Sequence, residues 1–399
     1  MLVQKKKIEN ESFKYSNRTK EYFKNFFNNI DKNYTPVISV SCKNKYDLIN
    51  SLYEIAFFFK IKNIKNPKKN IIIQSDANIK DEILLINNCM SAIDLNINPS
   101  NIATPKMLSI FIKNLFKNIK GVKIKILSSQ QIKKEGLNLL YAVGNGSINE
   151  PYFVIIERLI SNKPNTCIVG KGITFDAGGT NIKTTDSIND MKYDKTGAVY
   201  SLYAIKHIIE TQKNISIVAL LPFSENIITK SSLKPGDVIK SYNGKTVEIL
   251  NTDAEGRLIL ADALAYSERY KPKLLIDIAT LTGSATKINC YHSGYFYCSS
   301  RYLKDYIELT SYKLNERMIG MPSWVNKEML ESSVADIKNF SMKCNDAFTA
   351  TMFLREFIPK NIKNWLHIDL AHEIYKDKEI SIPNGKGIFT LIEIIKKMN

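Results

Sequence analysis

The sequence predicts an α/β protein: a layered domain around a largely buried sheet, preceded by a small α/β region. Three observations carry this. From about residue 75 onward, short apolar runs alternate with segments of helical period. Three of those runs, NTCIVG (165–170), ISIVALLP (215–222) and KLLIDIAT (273–280), are continuously apolar, as strands covered on both faces should be. With 399 residues, 44% of them apolar, the chain can bury a sizeable core in two or three domains at most.

The first elements are short. TPVISVS (35–41) is an apolar run, LINSLYEIAFFF (48–59) has a helical pattern, and NIKNPKKN (63–70), with its Pro and lysines, reads as a surface loop. A boundary near 75–88, set at 80/81, gives a small α/β N-terminal domain (1–80) and a main domain (81–399). No segment approaches the roughly 20 apolar residues of a membrane span, and no apolar stretch follows the N-terminal lysines. The expectation is a soluble cytoplasmic protein without a signal peptide. The six cysteines, Cys42, Cys89, Cys167, Cys290, Cys298 and Cys344, lack metal-finger spacing and read as reduced core thiols.

A net charge of +17 raises the question of nucleic acid. The charge is diffuse, however, and only seven of the 56 basic residues are Arg, whereas phosphate readers favour Arg. This argues for a solvated surface and against nucleic acid.

Chemistry concentrates beyond the ends of the strand-like runs, where open α/β sheets place their ligands. VGKGITFDAGGTNIKTTDSINDMKYDKTGA (169–198) combines lysines, aspartates and a Gly-Gly pair on a non-periodic stretch. It fits a site loop carrying Lys171, Asp176 and Lys183, the alternative being an ordinary charged surface loop. In NGKTVEILNTDAEGRLILADALAYSERY, KTVEIL alternates like a strand, and Leu258, Ala261, Leu264 and Ala265 recur with helical spacing. Asp253 and Glu255 therefore fall at a strand-to-helix junction, where acids either cap the helix or converge on a cation, with Arg257 following.

Asp176, Asp194, Asp253 and Glu255 together offer four hard oxygen donors whose repulsion two divalent cations would resolve. A two-metal site suits amide hydrolysis. A ligating Lys171 must be neutral, which burial and neighbouring cations favour. A protonated Lys183 stabilises a developing oxyanion. The four histidines, His207, His292, His367 and His372, form no HExxH, and His207 lies in an apparent structural helix. No GxSxG follows a strand.

VGKGITFDAGG, MKYD, PGDVI, NGKTVEILNTDAEGRL and DIATLTG resemble the leucyl (cytosol) aminopeptidase family, and NTDAEGRL is highly specific to it. The similarity runs from about residue 85 to the C-terminus and includes NINPSNIATP (96–105), AVGNGS (142–147), LPFSEN (221–226) and WLHIDLA (365–371). The resemblance implies a three-layer catalytic domain with a central mixed, largely parallel sheet, and an N-terminal domain about half its usual length. It implies two zinc or manganese ions per subunit, bridged by Asp176 and Glu255, with Lys171 and Asp194 completing one site and Asp253 the other. Lys183 and Arg257 match the two catalytic positions, and Arg257 would hold a bicarbonate or water. Lys183 and Asp194 would also meet substrate. Met191, Thr280, Gly283, Ala371 and Ile374 would line an apolar pocket for a leucine-like N-terminal side chain, the alternative for each being core packing. Short peptides as substrates, intracellular peptide turnover and a homohexamer follow from the same resemblance.

The chain departs from the family pattern at several places. Ala177 replaces the Ser of TFDSGG, Thr196–Gly197 replaces a Gly-Gly, His372 replaces a Gly, and NDAFTATMFL (345–354) replaces a GGxxTAA-like stretch. A DNA-binding accessory role, an inactive scaffold and phosphoryl hydrolysis are competing readings. The diffuse charge, the intact seven-residue site, and the lack of a phosphate loop argue against them in turn.

Overall fold

The computed structural model describes residues 6–7, 24, 27, 37–40, 42, 44–63, 71–161, 163–184, 188–288, 293–322, 327–371, 374–377 and 380–398. The three continuous apolar runs become strands β3 (Thr166–Gly170), β5 (Ile217–Asn226) and β6 (Leu274–Ala279), and every residue in them is buried. They are parallel neighbours, with Thr166 paired to Leu274 on one side and to Ile217 on the other.

The remaining strands of this nine-stranded sheet are β1 (Lys123–Leu127), β2 (Tyr152–Arg158), β4 (Gly172–Asp176), β7 (Gly294–Cys298), β8 (Met318–Gly320) and β9 (Asn364–Asp369). Their order is β8-β7-β9-β6-β3-β5-β2-β1, with β4 also on β5. The pairs β9/β6, β6/β3, β3/β5, β4/β5 and β7/β8 are parallel, and β7/β9, β5/β2 and β2/β1 antiparallel. The sheet is therefore mixed and largely parallel, as expected.

Its strands are apolar throughout because both faces are covered. Ile168, Ala219 and Ile276 pack into one cluster with Ala204 and Ile208 of α3 (Thr196–Thr211), while their neighbours Cys167, Val218 and Leu275 pack into a second with Leu258 and Ala261 of α4 (Glu255–Tyr266). Alternation of period two across a sheet with helices on each side makes three layers.

Near the N-terminus, the run at 35–41 contains the strand Val37–Ser39, which lies between Lys6–Lys7 and Ile72–Gln74 in a small parallel sheet. The helical pattern at 48–59 is α1 (Lys45–Lys62). It packs on α2 (Lys80–Ile97) and on α7 (Ile388–Lys397), with the Tyr53 hydroxyl donating to Asn384 O at 2.5 Å and its ring 5.8 Å from Phe389. Ile49, Leu52 and Ile55 lie in the same apolar cluster as α3, so this core runs unbroken from the first 80 residues into the rest. Of the expected loop at 63–70, only Asn63 is among the described residues. No described helix is long and apolar enough to cross a membrane. Cys42, Cys89, Cys167, Cys298 and Cys344 are free thiols, and Cys290 lies outside the described residues.

One element departs from the sequence reading. The stretch 169–198, read as non-periodic, contains β4, which pairs with the far half of β5 through a register irregularity between Ile173 and Phe175. Five residues partnered on one side leave too short a pattern to read.

Candidate metal centre

The site forms where four chain segments leave the sheet. Lys171 occupies the break between β3 and β4, its N–H donating to Ile278 O of β6 and its carbonyl accepting from Ala198 N of α3. Asp176 ends β4. Lys183 follows on the loop after Gly178, whose φ of +90° few other residues adopt. Asp194 caps the short 3-10 turn Met191–Tyr193, just before α3 (Thr196–Thr211). Asp253 and Glu255 stand at the start of α4, the junction expected for them.

These residues converge in two ion-paired groups. Lys171 Nζ lies 2.8 Å from Asp194 Oδ1 and 3.0 Å from Glu255 Oε1, and donates to Thr280 O at 3.0 Å. Lys183 Nζ lies 2.8 Å from Asp176 Oδ2 and 2.5 Å from Asp253 Oδ1. Ligand oxygens of Asp176, Asp253 and Glu255 all fall within 4.8 Å of one another. Gly256 makes room for the lysine, since a Cβ there would meet Lys171 Cε at 2.4 Å.

The electrostatics are those of a cluster short of positive charge. Burial, then Glu255, raises Asp176 well above the carboxylate range, and the same two causes raise Asp253. Burial pushes Asp194 up to about 7 against the pull of Lys171. Only Glu255 is lowered, because Lys171 and Lys183 outweigh its burial. Burial alone would lower both lysines, but the carboxylates outweigh it and raise them. Lys171 is thus an ammonium here, and the neutral amine expected of a ligand requires cations on its carboxylates.

The donor set fits divalent cations: four carboxylates converge against two ammonium groups, and the buried oxygens Asp194 Oδ2 and Glu255 Oε2 have no hydrogen-bond partner among the described residues.

The structure adds residues that sequence reasoning missed. Asn226 donates to Asp176 Oδ1 at 2.7 Å and to Thr252 O at 3.0 Å, tying the two acidic loops together. Thr252 Oγ1 donates to Gly178 O at 2.7 Å, and Thr252 N to Asn181 Oδ1 at 2.9 Å. Asn226 ends LPFSEN and Thr252 belongs to NTDAEGRL, so the motifs held the signal without the roles. Arg257 joins neither lysine group in an ion pair. Its Nη2 donates to Asp346 Oδ2 at 2.6 Å and its Nη1 to Asn339 O at 2.8 Å.

Of the expected pocket residues, Thr280 reaches the cluster, its Oγ1 donating to Asp194 Oδ1 at 2.8 Å. Met191, Thr280, Ala371 and Ile374 are half-buried and Gly283, which opens α5 (Gly283–Ile288), is exposed, so none is sealed in the core. Asp369 holds the exit of β6 by accepting from Leu281 N and Thr282 N. His367 is buried and paired with Asp277 at 2.5 Å. Burial pulls its imidazole down, but Asp277 outweighs this and raises it. His207 is buried on α3, and His292 and His372 lie outside the described residues. At the altered positions, Ala177 N donates to Asn226 O, and Thr196 Oγ1 donates to Tyr193 O.

A three-layer α/β fold with carboxylates and lysines gathered beyond its strand ends has the donor types of a metal-assisted hydrolase. The sequence matches the cytosol aminopeptidase family, catalytic domain, over residues 90–392. It is 38% identical over 375 residues to a probable cytosol aminopeptidase of Blochmanniella floridana, covering 88% of this chain and 73% of that one. It is 34% identical over 365 residues to a cytosol aminopeptidase of Buchnera aphidicola subsp. Acyrthosiphon pisum, covering 87% and 72%. The crystal structure of cytosol aminopeptidase from Coxiella burnetii superposes with a TM-score of 0.83 at 26% identity, covering 94% of this chain and 83% of that one. The bottromycin maturation enzyme BotP in complex with Mn shares the fold at a TM-score of 0.84 and 24% identity, over 95% and 87%. The chain belongs to the cytosol aminopeptidase family, whose members are metal-dependent hydrolases of peptide bonds.

Proposed function

We propose that this aminopeptidase works with two divalent ions, manganese or zinc, and removes leucine-like residues from the free N-terminus of short peptides in intracellular peptide turnover. The observation that carries the reading is the pair of lysine-centred acidic groups with two unpartnered buried oxygens. Asp176 and Glu255 would bridge the ions, Lys171 and Asp194 would hold one, and Asp253 the other. The ions would supply Lewis-acid polarisation of the amide carbonyl and an activated water.

The chain's own residues then divide the work. Asp194 would receive the substrate's amine. Lys183, held by Asp176 and Asp253, carries a positive charge suited to the developing oxyanion. Arg257 is fixed near the start of α4 as a permanent cation. Met191, Thr280, Gly283, Ala371 and Ile374 would form the side-chain pocket. Residues 1–80 are proposed as a small N-terminal domain that shares its apolar core with the catalytic domain 81–399, and a hexamer as the assembly.

Purified protein given manganese or zinc should release free amino acid from leucyl amide and spare its N-acetylated form. Equal cleavage of both would refute binding of a free amine. Asp253→Ala should abolish metal-dependent turnover and leave the far-ultraviolet circular dichroism unchanged; retained turnover would overturn the ligand assignment.

A further inference from the structure

We propose that Asp346 is the chain's built-in replacement for the bicarbonate that, with water as the alternative, the family resemblance places at Arg257, so that this enzyme works without bicarbonate. The proposal rests on the aminopeptidase reading above. Arg257 is 1% exposed and follows Glu255 by two residues on the first turn of α4. Its Nη2 donates to Asp346 Oδ2 at 2.6 Å, its Nη1 to Asn339 O at 2.8 Å, and the Phe340 ring lies 6.0 Å from its Cζ. Only its buried Nε has no hydrogen-bond partner among the described residues. One segment, 339–346, therefore surrounds the guanidinium and closes two of its three donor groups.

Asp346 itself is not sealed away, since its side chain is 27% exposed. Its Oδ1 accepts from Thr349 Oγ1 at 2.8 Å, which fixes the carboxylate plane. The next residue, Ala347, donates its N–H to Ser284 Oγ at 2.9 Å. Ser284 follows Gly283, so the start of the helix that carries Asp346 packs against α5, which opens with one of the expected pocket residues.

The sequence gives an independent indication. With Thr349 placed on the Thr of the GGxxTAA-like pattern, Asp346 falls where that pattern has glycine. A glycine would leave Nη2 open to a dissolved anion. An aspartate fills it with a carboxylate that is always present, and a second oxyanion at the same guanidinium would meet like charge. Asp346 would thus act through Arg257 as a positioning and charge-balancing residue. Its acceptance of the Thr349 hydroxyl within the first turn of α6 (Asp346–Arg355) is equally what a residue that only stabilises that turn would show, and the test separates the two roles.

The experiment measures leucyl-amide turnover by manganese-loaded wild type, Asp346→Gly and Asp346→Asn in bicarbonate-stripped buffer and with added bicarbonate or formate. Binding of 13C-bicarbonate to the chelated proteins is followed separately by NMR. Wild-type turnover should change less than about twofold and show no bicarbonate binding. Asp346→Gly should lose about tenfold or more in stripped buffer, recover most of it with either anion, and bind 13C-bicarbonate. Asp346→Asn, whose amide fills the same space without charge, should stay impaired and unrescued. Should Asp346→Gly fail to fold, Asp346→Ala is scored in the same way. Activation of wild type by bicarbonate, full activity of the glycine variant without anion, or its impairment without rescue or binding would each overturn the proposal. Wild type inactive with every metal would sink the aminopeptidase reading instead, while the NMR measurement would still decide whether Asp346 excludes the anion.

Discussion

Gly256→Ala tests the architecture of the site through a single methyl group. A Cβ at residue 256 would lie 2.4 Å from Lys171 Cε, 2.6 Å from Nζ and 2.8 Å from Cδ, where non-bonded carbons prefer roughly 3.5–4.0 Å. The helix itself gains, since alanine is favoured over glycine in a helix by about 1 kcal/mol. The atoms in the way form the far end of a lysine, so the side chain swings aside and the backbone stays in place. What is lost is the pairing of Nζ with Asp194 and Glu255, and breaking a buried ion pair costs about 3–5 kcal/mol. The net expectation is a destabilisation of about 2–4 kcal/mol in EDTA. In a Lys171→Ala background the methyl meets none of those atoms, and the same change should stabilise by about 1 kcal/mol. Urea unfolding of the four proteins completes the double-mutant cycle. A Gly256→Ala effect that is the same in both backgrounds would refute the claim that this glycine exists to seat Lys171. Manganese affinity of the single variant, measured by calorimetry, should fall about 10–100-fold, as for lost support of a ligand shell.

Two further expectations concern groups around the site. Burial, then Lys396, Lys206 and Lys45, pull the His207 imidazole down to about 3, whereas the unfolded chain protonates near its ordinary value of about 6.5. The neutral His207 therefore leaves stability intact above pH 6.5 and lowers it as pH falls, by about 2 kcal/mol at pH 5. Urea unfolding of His207→Leu at pH 5 and pH 8 should show that much less acid sensitivity than wild type, and an unchanged difference would count against it. Asn226→Ala removes both donors that join Asp176 to the Thr252 carbonyl. It should cost about 1–3 kcal/mol on unfolding and weaken manganese binding about tenfold or more, and an unaltered binding isotherm would exclude a role in spacing the acids.

The parts legible in the sequence were those with a local signature. β3, β5 and β6 announced themselves because covering a strand on both faces removes polar residues from it. Glu255 reads as the start of a helix because the period changes from two to three or four around it. The partners across the site had no such signature. Asp346 meets Arg257 from 89 residues away, and Asn226 reaches Asp176 from 50. Such pairs follow from tertiary convergence, and a single sequence shows only that the right residue types exist. β4 stayed hidden for a different reason, being five residues long and hydrogen-bonded along one edge.

The protonation of the centre also resists a purely local reading, because each lysine's state depends on what else neutralises its acids. Lys171 stands between Asp194 and Glu255, and Lys183 between Asp176 and Asp253, so each ammonium serves two carboxylates at once. Those carboxylates are what raise Lys171 against its burial. Positive charge delivered to Asp194 and Glu255 from another source would cancel that attraction and leave burial, which favours the neutral amine. In the proposed two-metal centre a ligating Lys171 would therefore be produced by the cations it binds, whereas Lys183, whose side chain is the less buried of the two, would keep its proton more readily. Two lysines, each tied to two acids in one cluster, thus differ in the burial that would act on them once cations neutralised those acids.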